Sequence, residues 1–166
     1  AKEGVNIGLT GRNEEHLKNT AEELKTLGVK AAYYVFSIDN EKAVQSGIAK
    51  LAEELGGIDI LINNAGIGDF GSIAEMPSET WEQVIKTNLF GVYYAAKAVH
   101  PFLKERGMGD IVNVASTAGL KGGPNMSAYA ASKAAVVSLS QSMMAEWRKE
   151  NIRVITLTPS TIASDM

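Results

Sequence analysis

The feature that most constrains this chain is an alternation. Five short apolar runs, most of them rich in Val or Ile, are separated by longer segments whose apolar residues recur at helical spacing. The strand candidates are 5–10, 30–36, 58–62, 110–115 and 152–158, and the helical segments are 14–27, 41–55, 78–105 and 127–151. Little of the strand text alternates with polar residues, as expected where both faces of a strand are covered. In 14–27, Leu17, Ala21, Leu24 and Leu27 fall on one helical face, and Glu14, Glu15, Lys18, Glu22 and Lys25 lie mainly opposite. Gly28 follows where a left-handed C-terminal cap is expected, and Ser78 reads as the N-cap of the third helix. Strand–helix–strand alternation predicts βαβ crossovers, and hence an α/β fold built on a doubly wound, Rossmann-type parallel sheet.

Composition narrows the function classes. The 166 residues are 45% hydrophobic and 21% charged, with a formal net charge of −3, so no global basic field invites a nucleic acid. Without cysteine there is no disulfide, thiol nucleophile or thiolate zinc site, and two scattered His make a metal site an unpromising reading. No apolar run reaches the ~18 residues that would span a membrane. A soluble, cytoplasmic, single-domain protein is the expectation.

Ligands of open α/β sheets bind beyond the carboxyl ends of the strands. Those ends carry Gly11-Arg12, Ser37-Ile38-Asp39, Asn63-Asn64-Ala65-Gly66, Ser116-Thr117 and Pro159-Ser160. Loops are generally rich in such residues, which accounts for any one of these ends better than for all five. Tyr129 and Lys133 are four apart on an expected helix and so share a face. An ammonium beside a phenol favours the phenolate, which would let Tyr129 exchange a proton near neutral pH. A Tyr covering the core with a Lys stem alongside it would read the same way. Ser116 ends the preceding strand, where its hydroxyl would reach the same substrate oxygen. Asn88 and Gly91 are poor helix formers placed in the middle of an expected helix, a misfit that points to a specific task.

These residues, in this order, resemble the classical short-chain dehydrogenase/reductase family, and within it the 3-oxoacyl-[acyl-carrier-protein] reductases. The resemblance runs from Gly4 to Met166 and rests on Asn63–Gly66, Asn88 in Thr-Asn-Leu-Phe-Gly, Ser116, Tyr129-Ala-Ala-Ser-Lys133 and the segment 159–166. It implies that Tyr129 gives a proton to a carbonyl oxygen while a nicotinamide cofactor supplies hydride. Lys133 would support Tyr129 and hold the cofactor ribose, Ser116 would hold the substrate oxygen, and Asn88 would anchor a water that relays protons to Lys133. Asn63, Ala65 and Gly66 would line the cofactor groove, with Pro159, Ile162 and Ser164 contacting the nicotinamide end and the phosphates. The family's Pro-Gly after the last strand is Pro159-Ser160 here. Its adenine-contacting Asp-Val pair is replaced by Ser37-Ile38, with Asp39 two positions late.

At the end of the family's second strand, matched here by 5–10, an acidic residue would bind the ribose hydroxyls of NAD, whereas Arg accommodates the 2′-phosphate of NADP. Here Gly11 fills that slot and Arg12 follows, which favours NADPH. An ordinary surface Arg is the competing reading. The apolar circumference of 127–151 suggests a subunit contact, and the resemblance implies a homotetramer. It also implies that residues 1–166 are one domain incomplete at both ends, without the first strand, its Gly-rich turn or the C-terminal end. With that central strand missing, sheet edges would be exposed and the segment alone would fold poorly. A sugar, steroid or other small-carbonyl dehydrogenase is an alternative to the acyl substrate, and a non-catalytic nucleotide-binding scaffold is a third reading.

Overall fold

The computed structural model describes residues 1–160. The elements alternate β1 (Ile7–Gly11), α1 (Glu14–Thr26), β2 (Ala31–Val35), α2 (Glu41–Leu55), β3 (Ile60–Asn63), α3 (Ser78–Ile85), α4 (Gly91–Arg106), β4 (Gly109–Val114), α5 (Ser127–Trp147) and β5 (Ile152–Leu157). A π-helical turn, Lys86–Phe90, joins α3 to α4. All strand pairings are parallel, in keeping with the short apolar runs and intervening helices that predicted crossovers.

The helix starts follow local chemistry. Asn13 and Asn40 cap α1 and α2, each side chain accepting the backbone N–H of the third residue onward, His16 at 3.0 Å and Ala43 at 3.1 Å. Gly28 follows α1 at φ +83°, as expected. The expected Ser78 cap is corrected: Pro77 occupies the N-cap, and Ser78 is the first helical residue with no capping bond. Proline's fixed φ, here −57°, organises the entry without a side-chain acceptor.

The strands form two parallel sheets, β1–β2 and β3–β4–β5, and among the described residues β1 and β3 make no ladder with each other, which leaves sheet edges open as the sequence reading expected. One further expectation changes: coverage of both faces fails on β3, where Ile60 is 48% and Ile62 63% exposed. Val92, Ala95, Ala96, Val99 and Leu103 line one face of α4 and pack with Val44 and Ile48 of α2, Ile111 of β4, and Val136 and Met143 of α5. That single cluster places α2 in the core of the three-stranded half. Burying a side chain such as Leu103 contributes about 1.5–3 kcal/mol. No helix among the described residues is long and apolar enough to cross a membrane.

Candidate active site

The carboxyl end of the three-stranded sheet is where the chemistry-bearing residues meet. Lys133 is almost completely buried, and its Nζ donates to the Val114 carbonyl at the end of β4 (2.8 Å). The same Nζ stands 5.7 Å from the centre of the Tyr129 ring one helical turn earlier. Burial pushes the Lys133 amine below its ordinary value. Phe70 meets the Tyr129 ring with centroids 5.9 Å apart.

The Asn88 misfit now has a physical account. It sits in the π turn, fully buried, with its amide spent on specific partners. Its Oδ1 accepts the Ile67 N–H (2.8 Å), while its Nδ2 donates to the Ile67 carbonyl (2.9 Å) and to Ser132 Oγ (3.0 Å). Ser132 in turn donates to the Tyr129 carbonyl (2.7 Å), so the π turn is bolted to the first turns of α5. Both amide hydrogens of Asn88 are therefore used, and what remains free is acceptor capacity on Oδ1. Gly91 is explained by contact: a Cβ there would lie 2.8 Å from the Ile38 side chain.

Ser116 caps the short turn Thr117–Gly119, its Oγ accepting from Ala118 N–H at 3.1 Å, which leaves the hydroxyl hydrogen free to donate. Gly119 lets that turn approach the backbone of α5. A Cβ at this position would lie 2.6 Å from the Lys133 carbonyl carbon and 2.7 Å from the Ala134 nitrogen. Thr117 N–H also donates to the Pro159 carbonyl (3.0 Å), tying the last strand to the same corner.

Asn63, Ala65 and Gly66 lie where β3 ends. Asn63 is buried, and Ala65 and Gly66 are exposed along an open lip. A Cβ on Gly66 would sit 3.3 Å from Asn88 Oδ1 and 3.4 Å from Lys133 Nζ, so the missing side chain opens the space both groups face. An exposed lip of small residues beside a buried cation and a phenol fits the ribose and nicotinamide end of a dinucleotide.

Arg12, Ser37 and Ile38 lie apart from this cluster, at the ends of the β1–β2 sheet. Arg12 is exposed beside a shallow hollow lined by Leu9, Gly11, Asn13 and His16. Ser37 and then Gln83 (2.9 Å) hydrogen-bond Asp39 and hold its carboxyl below the ordinary value, with the charge of Arg12 acting in the same direction. The Ile38 side chain packs over Gly91. Ile162 and Ser164 lie outside the described residues. Among the described residues, no group of three His, Asp or Glu is arranged to hold a metal ion.

Three site residues escaped the sequence reading: Ser132, Gly119 and Ile67. Ser132 lies inside the Tyr129–Lys133 span and Gly119 two residues after Ser116-Thr117, so their neighbours were marked although they were not. Ile67 acts through its backbone, which no side-chain pattern reveals.

A parallel α/β fold with Tyr129, Lys133, Ser116 and Asn88 gathered at one sheet corner is an arrangement of the dinucleotide-binding α/β class. The family model for short chain dehydrogenases matches residues 1–166, and the chain belongs to that family. It is 36% identical over 168 residues to a 3-oxoacyl-[acyl-carrier-protein] reductase of Chlamydia muridarum, covering 100% of this chain and 67% of that protein. Its fold superposes on an NAD+-bound xylitol dehydrogenase with a TM-score of 0.95 at 35% identity, covering 98% of this chain and 63% of the other. A gluconate 5-dehydrogenase from Burkholderia cenocepacia, in complex with NADP and tartrate, gives 0.94 at 32% identity, covering 99% and 65%. The chain spans about two thirds of the length of the curated relatives it matches.

Proposed function

We propose that this chain carries the catalytic corner of an NADPH-dependent ketone reductase, whose substrate is a 3-oxoacyl group on an acyl carrier protein and whose product is the 3-hydroxyacyl form. The observation that carries the catalytic part is the junction of Tyr129 and Lys133 with the bolted π turn at Asn88. Bound nicotinamide dinucleotide would supply the hydride to the carbonyl carbon. The chain's own groups supply everything else. The Tyr129 hydroxyl gives its proton to the carbonyl oxygen as the C–O bond becomes single. Ser116 donates its free hydroxyl hydrogen to the same oxygen and steadies the developing alkoxide. Lys133 provides positive charge beside the phenol, and donors on its ammonium not used by Val114 are available to a ribose hydroxyl. Asn88 Oδ1 and Lys133 Nζ face the same small space at Gly66, where a water anchored by Asn88 would return protons to Lys133.

Asn63, Ala65, Gly66, Tyr129, Lys133, Pro159, Ile162 and Ser164 would hold the nicotinamide half and the phosphates, and Arg12, Ser37 and Ile38 the adenosine half. Arg12 supports NADPH because no carboxylate replaces Gly11 beside it. Asp39 stands near enough for its charge and that of Arg12 to interact, which offsets part of the attraction. The substrate assignment rests on the sequence resemblance and on the acyl reductase among the relatives. The sugar-type relatives support a second reading, a polyol or sugar-acid dehydrogenase with the same chemistry. The homotetramer built on α5 rests on the sequence resemblance alone.

The test is a rate assay on the full-length protein. NADPH and NADH are each offered with acetoacetyl thioesters, a keto sugar acid and a small ketone. Faster oxidation of NADPH than NADH with the thioester is the expected result. A folded protein that binds cofactor and turns over none of these ketones would falsify the reductase assignment, leaving a binding scaffold.

A further inference from the structure

The interior of the three-stranded half holds a second polar network, away from the groups that face substrate. Asn113 points from the central strand β4 and is fully buried, at a position whose same-face neighbours Gly109 and Ile111 are buried too. Asn63 Nδ2 donates to Asn113 Oδ1 (2.8 Å), Asn113 Nδ2 donates to Ser140 Oγ (2.8 Å), and Ser140 donates to the Val136 carbonyl (2.6 Å). The three side chains cross β3, β4 and α5 in one line.

The direction of this chain is fixed by chemistry. The Val136 carbonyl only accepts, so the Ser140 hydroxyl must donate to it and can offer Asn113 only its lone pairs. Asn113 must then present its NH2 to Ser140 and its oxygen to Asn63, which in turn must present its own NH2. Bonds aligned in this way polarise one another. A well-packed apolar set would avoid the desolvation of three buried polar groups. What the polar set adds is register, because apolar contacts tolerate a slide that a hydrogen-bonded line does not.

The line also ends where position matters. Ser140 lies seven residues after Lys133, two helical turns on and on the same face of α5. Lys133 grips Val114, next in β4 to Asn113, so α5 is held to β4 by two polar pins. At its other end the line begins on Asn63, two residues before Ala65 of the Ala65–Gly66 lip. We propose that Asn113 and Ser140 are positioning residues, which with Asn63 set the placement of Tyr129 and Lys133 relative to the nucleotide groove. Neither Asn113 nor Ser140 belongs to the groups proposed above to touch substrate or cofactor. The inference rests on the reductase reading above, and wild-type turnover checks that reading separately.

The experiment uses the full-length protein and compares Ser140→Ala, Ser140→Thr and the paired variant Asn113→Leu with Ser140→Ala. Fraction folded, melting temperature, kcat and KM for NADPH are measured for each. Small misplacements of reacting groups cost up to ~100-fold in rate. Ser140→Ala is therefore expected to lower kcat roughly ten- to hundredfold in protein that is still folded, with KM for NADPH changed less. Ser140→Thr, which keeps the hydroxyl, restores kcat. The paired variant leaves the buried Asn63 amide without its acceptor and recovers neither kcat nor the full melting temperature. The separation that a merely structural role does not produce is a fall in kcat with fraction folded and KM for NADPH held, reversed by Ser140→Thr. Wild-type kcat in folded Ser140→Ala overturns the proposal, as does recovery of kcat in step with stability in the paired variant. No turnover by the wild-type protein would instead remove the reading beneath it.

Discussion

The two sheets of this molecule handle polar groups in opposite ways. In the three-stranded half, polar side chains are in the interior: Asn63, Asn88, Asn113, Ser132, Lys133 and Ser140 are all buried, and all belong to β3, β4, α5 or the π turn. In the β1–β2 half the polar residues proposed for recognition, Arg12 and Ser37, are exposed or half-exposed, and β1 has no fully buried residue. Buried polar groups are costly unless each is bonded, and once bonded they are held in one arrangement. A reacting centre needs that fixity, whereas a charge that selects a phosphate works from the surface. In the proposed reaction, one half would carry geometry and the other affinity.

This division is open to breakage. The largest expected effect is Tyr129→Phe, which removes the proton donor and should lower kcat by about 10²–10⁴ with cofactor binding retained, checked by steady-state rates and by cofactor titration. Next is Asn88→Ala. It strips partners from the Ile67 N–H and from Ser132 inside the protein, and each buried group left unsatisfied costs about 1–3 kcal/mol. Denaturant unfolding of the full-length protein measures the loss, and a variant as stable as wild type would contradict the bolted π turn. Arg12→Ala should come third. Losing one charge-assisted bond of about 1.5–3 kcal/mol raises KM for NADPH roughly tenfold or more while leaving kcat and KM for NADH near wild type. Asp39→Asn should move NADPH affinity the other way, by a smaller factor, because it removes the negative charge near Arg12.

Lys133 provides a pH test on the geometric half. Its folded-state pKa is depressed by burial, so the folded protein binds fewer protons than the unfolded chain between that value and the ordinary 10.5. The penalty for burying the ammonium is complete below the folded-state pKa and is relieved as pH rises towards 10.5. Wild-type stability relative to Lys133→Met should therefore improve on the alkaline side, read by unfolding at a series of pH values. A difference independent of pH would show that burial does not act on the charge. The smallest effect belongs to the surface: Arg153 meets Asp110 through two bonds, but its side chain is 73% exposed. Arg153→Ala should leave the denaturant unfolding midpoint close to that of wild type, because solvent screens the pair.

Much of this was legible in the sequence, for reasons visible in particular residues. Val- and Ile-rich runs and a Leu17–Ala21–Leu24 stripe are local signals, and they located every strand and helix to within a few residues. Asn88 and Gly91 were readable as misfits, because a poor helix former inside a helix contradicts its surroundings. The π turn that resolves the misfit was not readable, since it depends on the partner Ile67, 21 residues away. Gly47 was equally silent: a Cβ there would lie 2.2 Å from the Phe36 ring, a contact made only when α2 packs. Asn113 and Ser140 sit where an apolar residue would also fit the pattern, and nothing local announces that they meet. Strand text does not say which strands pair, but the open sheet edges that accompany the division into two sheets were expected from the resemblance.

The most direct test of the division is one side-by-side measurement of kcat and of KM for NADPH in full-length wild type, Tyr129→Phe, Arg12→Ala and the double variant. The account predicts that Tyr129→Phe moves kcat alone, that Arg12→Ala moves KM alone, and that the two effects combine without coupling, as for distant sites. Wild-type kcat in Tyr129→Phe, or a fall in kcat on changing Arg12 as large as the rise in KM, would contradict it.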